Sequence, residues 1–233
     1  NRQIQYNLWC EERKYPEDAR LQLRRGVLTG TFKLGGDYSN ISGYPGAWPV
    51  QVIKRLHILF PEIAEYGADH LLHLFAGSLA LGAGNGHWIQ RHFDMLGATL
   101  DACTTKGWEK DLRPDIHANA ESFTEELAWQ AYLARRGADS DAVFKMILGD
   151  PPFNGRQADA KYNCALPNRS KVLEQCHRAL VDGGILIWQD EMEPLHAHSR
   201  WQHILDVVLD LGQGKYLRKL TGLRKISDAE CAA

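Results

Sequence analysis

The strongest constraint on this chain is a recurrence of short apolar runs between segments of helical period. "HLLHLFAG" (70–77), "GATLDA" (97–102), "PDIHANA" (114–120), "AVFKMILG" (142–149) and "ILIWQ" (185–189) are each the length of one buried strand. Helical spacing falls between them. Val52, Ile53, Leu56, Leu59 and Phe60 follow Pro49, which suits a first helical position. Residues 122–136 read as a helix with Phe123, Leu127, Tyr132 and Leu133 inward. "SKVLEQCHRALVDGG" reads as an amphipathic helix with Ser170 as N-cap and Gly183–Gly184 as its stop. A further helix is expected near 195–204, and "ILDVVLDLG" and "KYLRKLTGLRKI" then suit a closing antiparallel hairpin. Strands alternating with helices imply an α/β fold: a Rossmann-like, doubly wound, mostly parallel sheet of seven strands ending in that hairpin. The expected organisation is a partly irregular N-terminal arm over 1–48 and one α/β domain over 49–233.

The bulk numbers fit that picture and narrow the partners. The chain has 233 residues, 44% of them hydrophobic, enough for one sizeable core. Net charge is -2 and the pI is about 6.6, so no global basic excess advertises nucleic acid, although a local patch is compatible with it. The five cysteines are scattered without a Cys-x-x-Cys pair, which argues against a disulfide framework or a thiolate zinc site and fits a cytoplasmic protein. No apolar run reaches membrane-spanning length and no signal-peptide pattern is visible, so no membrane is expected. His70/His73 and His196/His198 lack a third ligand at metal spacing, and no metal is expected.

Ligands of such sheets bind at the carboxyl ends of the strands. Phe75-Ala76-Gly77-Ser78 places small residues where the first strand turns, letting a ligand approach the backbone. Asp101 ends the next strand, where a carboxylate can accept both hydroxyls of a ribose. Asn119 follows the third. The fourth ends in "MILGDPPFNG": an apolar run stops at Gly149 and becomes Asp150-Pro151-Pro152-Phe153. Two prolines cannot donate ladder hydrogen bonds, so the strand must stop there.

In this order, LFAGS, TLD, HANA, DPPF and "HRALVDGGILIW" resemble the class I S-adenosylmethionine-dependent methyltransferases over residues 49–226. The resemblance is greatest to the amino-methyltransferases of nucleobases, which carry D/N/S-P-P-Y/F after the fourth strand. It implies S-adenosylmethionine as cofactor, with Phe75, Ala76, Gly77, Ser78, Asp101 and Asn119 around it. Asn119 stands where the family usually has Asp. Tyr44 and Pro45 match, loosely, a segment touching the cofactor's methionine part. The resemblance also implies the chemistry: Asp150 and the Pro151 carbonyl accept both N–H hydrogens of an exocyclic amine, Pro152 stiffens the loop, and Phe153 stacks on the base. Asn154 and Tyr162 fall in the segment that resembles a target-base loop. Arg24 and Arg25 are candidates for phosphate contact.

DPPF leans toward N6 of adenine in DNA, with base flipping out of a duplex. A ribosomal RNA guanine-N2 enzyme, a DNA cytosine-N4 enzyme and a non-catalytic binding module of the same fold remain open. The expected partner is nucleic acid, DNA over RNA, and the expected setting is the cytoplasm, at the nucleoid if DNA is the substrate.

Overall fold

The computed structural model describes residues 1–34, 48, 50–62, 70–75, 98–101, 115–152, 165–210 and 217–231. In chain order the elements are α1 (Arg2–Glu12), β1 (Gln22–Arg24), β2 (Val27–Lys33), α2 (Val50–Leu59), β3 (Leu71–Leu74), β4 (Ala98–Asp101), β5 (Ile116–His117), α3 (Leu127–Arg136), β6 (Phe144–Gly149), α4 (Arg169–Ala179), β7 (Leu180–Asp190), β8 (Trp201–Asp210), β9 (Arg218–Lys225) and the short α5 (Asp228–Cys231).

The described strands form one sheet in the order β1-β2-β8-β9-β7-β6-β3-β4-β5. β5, β4, β3, β6 and β7 run parallel to one another. Taken as first to fifth strands, they stand in the 3-2-1-4-5 order of a Rossmann sheet, with the direction of winding reversing between β3 and β6. β9 lies antiparallel between β7 and β8. This is the Rossmann-like α/β arrangement with a closing antiparallel hairpin that the sequence implies.

Two strands exceed the seven expected. β1 and β2 form a hairpin through Arg25 and Gly26, whose φ values of 50° and 83° both lie in the left-handed region. β2 then pairs in parallel with β8, from Leu28↔Leu205 to Lys33↔Asp210. The segment expected as a partly irregular arm is therefore helix and strand over its described residues 1–34. Its strands are too short and too mixed in polarity to signal themselves; a long-range partner, β8, makes them a sheet edge.

Both faces of the sheet are covered. On one, α1 and α2 contribute Tyr6, Cys10, Val52, Ile53, Leu56 and Leu59 to a core with Met146, Leu148, Ile185 and Ile187. On the other, α3 and α4 contribute Trp129, Leu133, Val172 and Cys176, packed on Ile147, Leu186 and Trp188. Alternate residues of β7 thus enter opposite cores, as the period of two requires.

Three local readings are corrected. The helix expected near 195–204 is a turn followed by β8 from Trp201, because Trp201 pairs with Lys225 of β9. Leu127, expected inward, is 87% exposed; it opens α3, and Trp129 is the buried residue. α4 starts from Asn168, whose side chain accepts the Lys171 N–H, not from Ser170. It ends at Ala179, since Leu180 is already paired with Phe144, and Gly183 (φ 74°) turns within β7.

Candidate active site

Asp150 stands immediately past β6, on the carboxyl rim, beside the point where the winding reverses. Its position is set from below. Gly149 pairs with Trp188 of β7, and a Cβ on Gly149 would lie 2.8 Å from the indole Cε3. Only a residue without a side chain lets β6 pass so close to a fully buried tryptophan. Trp188 is held in turn: its Nε1–H donates to Asp190 Oδ2 at 3.3 Å, and its ring meets Phe75 edge-on at 6.1 Å between centroids. Phe75 follows β3 with φ 57°, so the chain turns sharply at that rim. Pro151 and Pro152 are buried and deny any further ladder bond.

The rim is rich in buried polar groups. Gln189 and Asp190, which end β7, are fully buried. Asp190 is well satisfied: Arg169 donates to its two oxygens at 2.5 and 3.1 Å, and the Glu191 N–H donates at 2.7 Å. Asp150 is not. Its Oδ1 is shut off from solvent with no hydrogen-bond partner, and so are both amide atoms of Gln189. Burial pushes the Asp150 carboxyl up to about 7, helped by the Asp190 charge and opposed by Arg218 and by the Gln189 amide close by. A carboxylate desolvated beyond what its neighbours compensate is costly, and such groups concentrate at functional sites. A neutral N–H reaching Oδ1 would supply the missing hydrogen bond and favour the ionised form.

Of the residues singled out in the sequence, Asp150, Pro151, Pro152 and Phe75 meet around the β3–β6 crevice. Asp101 ends β4 on the same rim, where its backbone pairs with His117. Asn119 follows β5 and is exposed; its Oδ1 accepts the Glu121 N–H at 3.0 Å and its N–H donates to Glu126. Tyr44, Pro45, Ala76, Gly77, Ser78, Phe153, Asn154 and Tyr162 lie outside the described residues. Arg24 and Arg25 do not join the site. β1 is five strands from β6, about 24 Å across the sheet at the usual spacing. Its turn to β2 also lies at the amino rim, since β2, β8, β7 and β6 all point the same way.

Sequence reasoning missed Trp188, Gln189, Asp190 and Arg169. The available signal was the second apolar run ending in polar residues, "ILIWQD", which is parallel to "MILGD" and therefore ends beside it.

S-adenosylmethionine fits the described residues in kind: the crevice at the winding reversal, the sharp turn at Phe75 and the strand-end Asp101 are where an α/β sheet takes a nucleoside ligand. No family model and no curated protein matches the chain. Solved structures do. TrmN from Thermus thermophilus is 13% identical, with a TM-score of 0.46, covering 79% of this chain and 51% of its own. The chain thus spans about half the length of TrmN. The N-methyltransferase NodS from Bradyrhizobium japonicum, in complex with S-adenosyl-L-homocysteine, is 11% identical (TM-score 0.43; 80% and 95% covered). An rRNA methylase from Streptococcus thermophilus is 11% identical (TM-score 0.37; 74% and 96% covered).

Proposed function

We propose that this chain transfers a methyl group from S-adenosylmethionine to an exocyclic amine of a nucleobase, with N6 of adenine in DNA as the favoured target. One observation carries the reading. A carboxylate in a D-P-P-F context follows the strand next to the winding reversal, half-buried, with Oδ1 shut off from solvent and without a hydrogen-bond partner. An aromatic amine is a poor nucleophile because its lone pair is delocalised into the ring. Asp150 and the Pro151 carbonyl would each accept one N–H, drawing the nitrogen toward tetrahedral geometry and freeing the pair for in-line attack. S-adenosylmethionine supplies the electrophilic methyl when bound. The prolines keep the two acceptors rigid, and much of the rate comes from holding the reactants in line. The raised proton affinity of Asp150 suits the same role: the group is half ionised near neutral pH and is completed by the incoming amine.

The test is product identification. The protein is incubated with labelled S-adenosylmethionine and duplex DNA, single-stranded DNA or unmodified RNA, and the digested nucleosides are resolved by mass spectrometry. N6-methyl-deoxyadenosine is the expected product. Label on cytosine N4 or guanine N2 would keep the chemistry and move the substrate. No product together with no cofactor binding would overturn the reading and leave a binding module.

A further inference from the structure

The crossover from β7 to β8, residues 191–200, contains no regular helix. Glu193 and His196 of this segment converge with His203 of β8, and one ligand atom from each lies within 4.8 Å of the other two. The hydrogen bonds around the two imidazoles decide their tautomers. His196 Nδ1 is 3.0 Å from the Pro194 carbonyl and 3.9 Å from Glu193 Oε1, and a proton on Nδ1 shared with the carbonyl leaves the lone pair on Nε2. That Nε2 is buried without a hydrogen-bond partner, on a side chain only 4% exposed. His203 Nε2 donates to the Leu205 carbonyl at 2.9 Å, which leaves the lone pair on Nδ1, 3.6 Å from Glu193 Oε1. A ring nitrogen bonded to a backbone carbonyl, with its other nitrogen left basic, is the outer-shell pattern of metal-ligating histidines.

The charges agree. Lys219 Nζ contacts Glu193 Oε2 at 2.8 Å and Asp206 Oδ1 at 3.1 Å. One ammonium thus faces two carboxylates, and Glu193 Oε1 is left turned toward a nitrogen lone pair. A cation, either a proton on the His203 imidazole or a metal ion, would join these two groups 3.6 Å apart.

We propose that Glu193, His196 and His203 bind a divalent cation of the zinc class, which pins the crossover against β8 and β9. Two imidazoles and one carboxylate are a zinc donor set, and they leave a fourth position for water or for exposed His198, whose ring is 5.1 Å from that of His196. Tetrahedral ligands at about 2.1 Å from zinc lie about 3.4 Å apart, so the side chains close by up to about 1.4 Å on binding.

The experiment titrates zinc chloride into the metal-stripped full chain by calorimetry and repeats the titration with His196→Ala, His203→Ala and Glu193→Gln. One equivalent is expected, with each substitution weakening binding by more than about tenfold and zinc raising the unfolding midpoint of the native chain only. Cobalt in the native chain is the second measurement, independent of how the variants fold. Visible ligand-field bands of a tetrahedral nitrogen–oxygen site are expected. Thiolate-to-cobalt charge transfer would assign the metal to cysteines and overturn the proposal, as would no zinc uptake or uptake unchanged in the three variants.

Discussion

Asp150 and Gly149 form one device. Gly149 lets β6 ride over Trp188, and Asp150 inherits its position from that approach. Gly149→Ala would force a methyl against an indole that has no room to yield, at about 1–3 kcal/mol. Its expected signature is a loss of methyl transfer larger than its loss of stability, read from turnover against urea unfolding; unchanged turnover would detach Trp188 from the site. Asp150→Ala should abolish transfer while leaving the S-adenosylmethionine dissociation constant within a few fold, because Asp150 serves the amine. Asp101→Ala should act the other way and weaken cofactor binding first. The carboxyl of Asp150 gains protons more readily folded than unfolded, moving from 3.8 to about 7. Its contribution to stability is therefore present below pH 3.8 and is lost as pH rises to 7. Each tenfold in proton affinity is worth about 1.4 kcal/mol, so the cost above pH 7 is at most about 4 kcal/mol. Asp150→Asn should gain stability over the native chain as pH rises through that window, by chemical denaturation at pH 4 and pH 8. In the native chain kcat/KM should fall below about pH 7, since transfer needs the ionised form.

Between elements, one buried arginine joins three. Arg55 of α2 is 1% exposed. Its guanidinium lies 5.5 Å from the ring of Trp9, 5.0 Å from Tyr15 and 5.4 Å from Phe32, and donates to the carbonyls of Gln51 and Lys33 at 3.0 Å each. These contacts tie α2 to α1, to the turn after it and to β2. Charge enclosed by ring faces loses much of its hydration and keeps electrostatic compensation. Arg55→Ala should cost about 3 kcal/mol or more by urea unfolding, from the cavity, the lost ring contacts and the orphaned Lys33 carbonyl. A cost under about 1 kcal/mol would mean that the aromatic cage holds these elements without it.

At the scale of the molecule, residues 1–34 complete the sheet. Leu28 and Phe32 of β2 and Tyr6 of α1 are buried in the same core as Ile185 and Ile187 of the central strand β7. Removing residues 1–34 would bare that core and the long edge of β8, and an unprotected edge with an apolar face associates. The shortened chain is expected to elute as soluble aggregate in gel filtration and to unfold at lower urea than the full chain. A monomeric product with an unchanged midpoint would make the segment a separable arm.

The class of fold was legible in the residues because it rests on local patterns. Short apolar runs such as "MILG" and "ILIW", bounded by turn residues, suit buried strands, and the helical spacing between them suits parallel crossovers. D-P-P-F was legible too, since prolines end a strand wherever they occur and a carboxylate there faces the rim. The edge strands β1 and β2 were not, because their pairing depends on β8, 177 residues along the chain from Lys33 to Asp210. Nor was the turn that replaces the helix at 195–204, where the register with β9 overrides local preference. The surroundings of Asp150 belong to the same class. Trp188, Gln189 and Asp190 reach it through strand register, and Glu193, His196 and His203 meet through a bend in the crossover. Period and turn chemistry are properties of neighbours in sequence; which buried charges face one another is set by long-range packing, and only the folded sheet decides it.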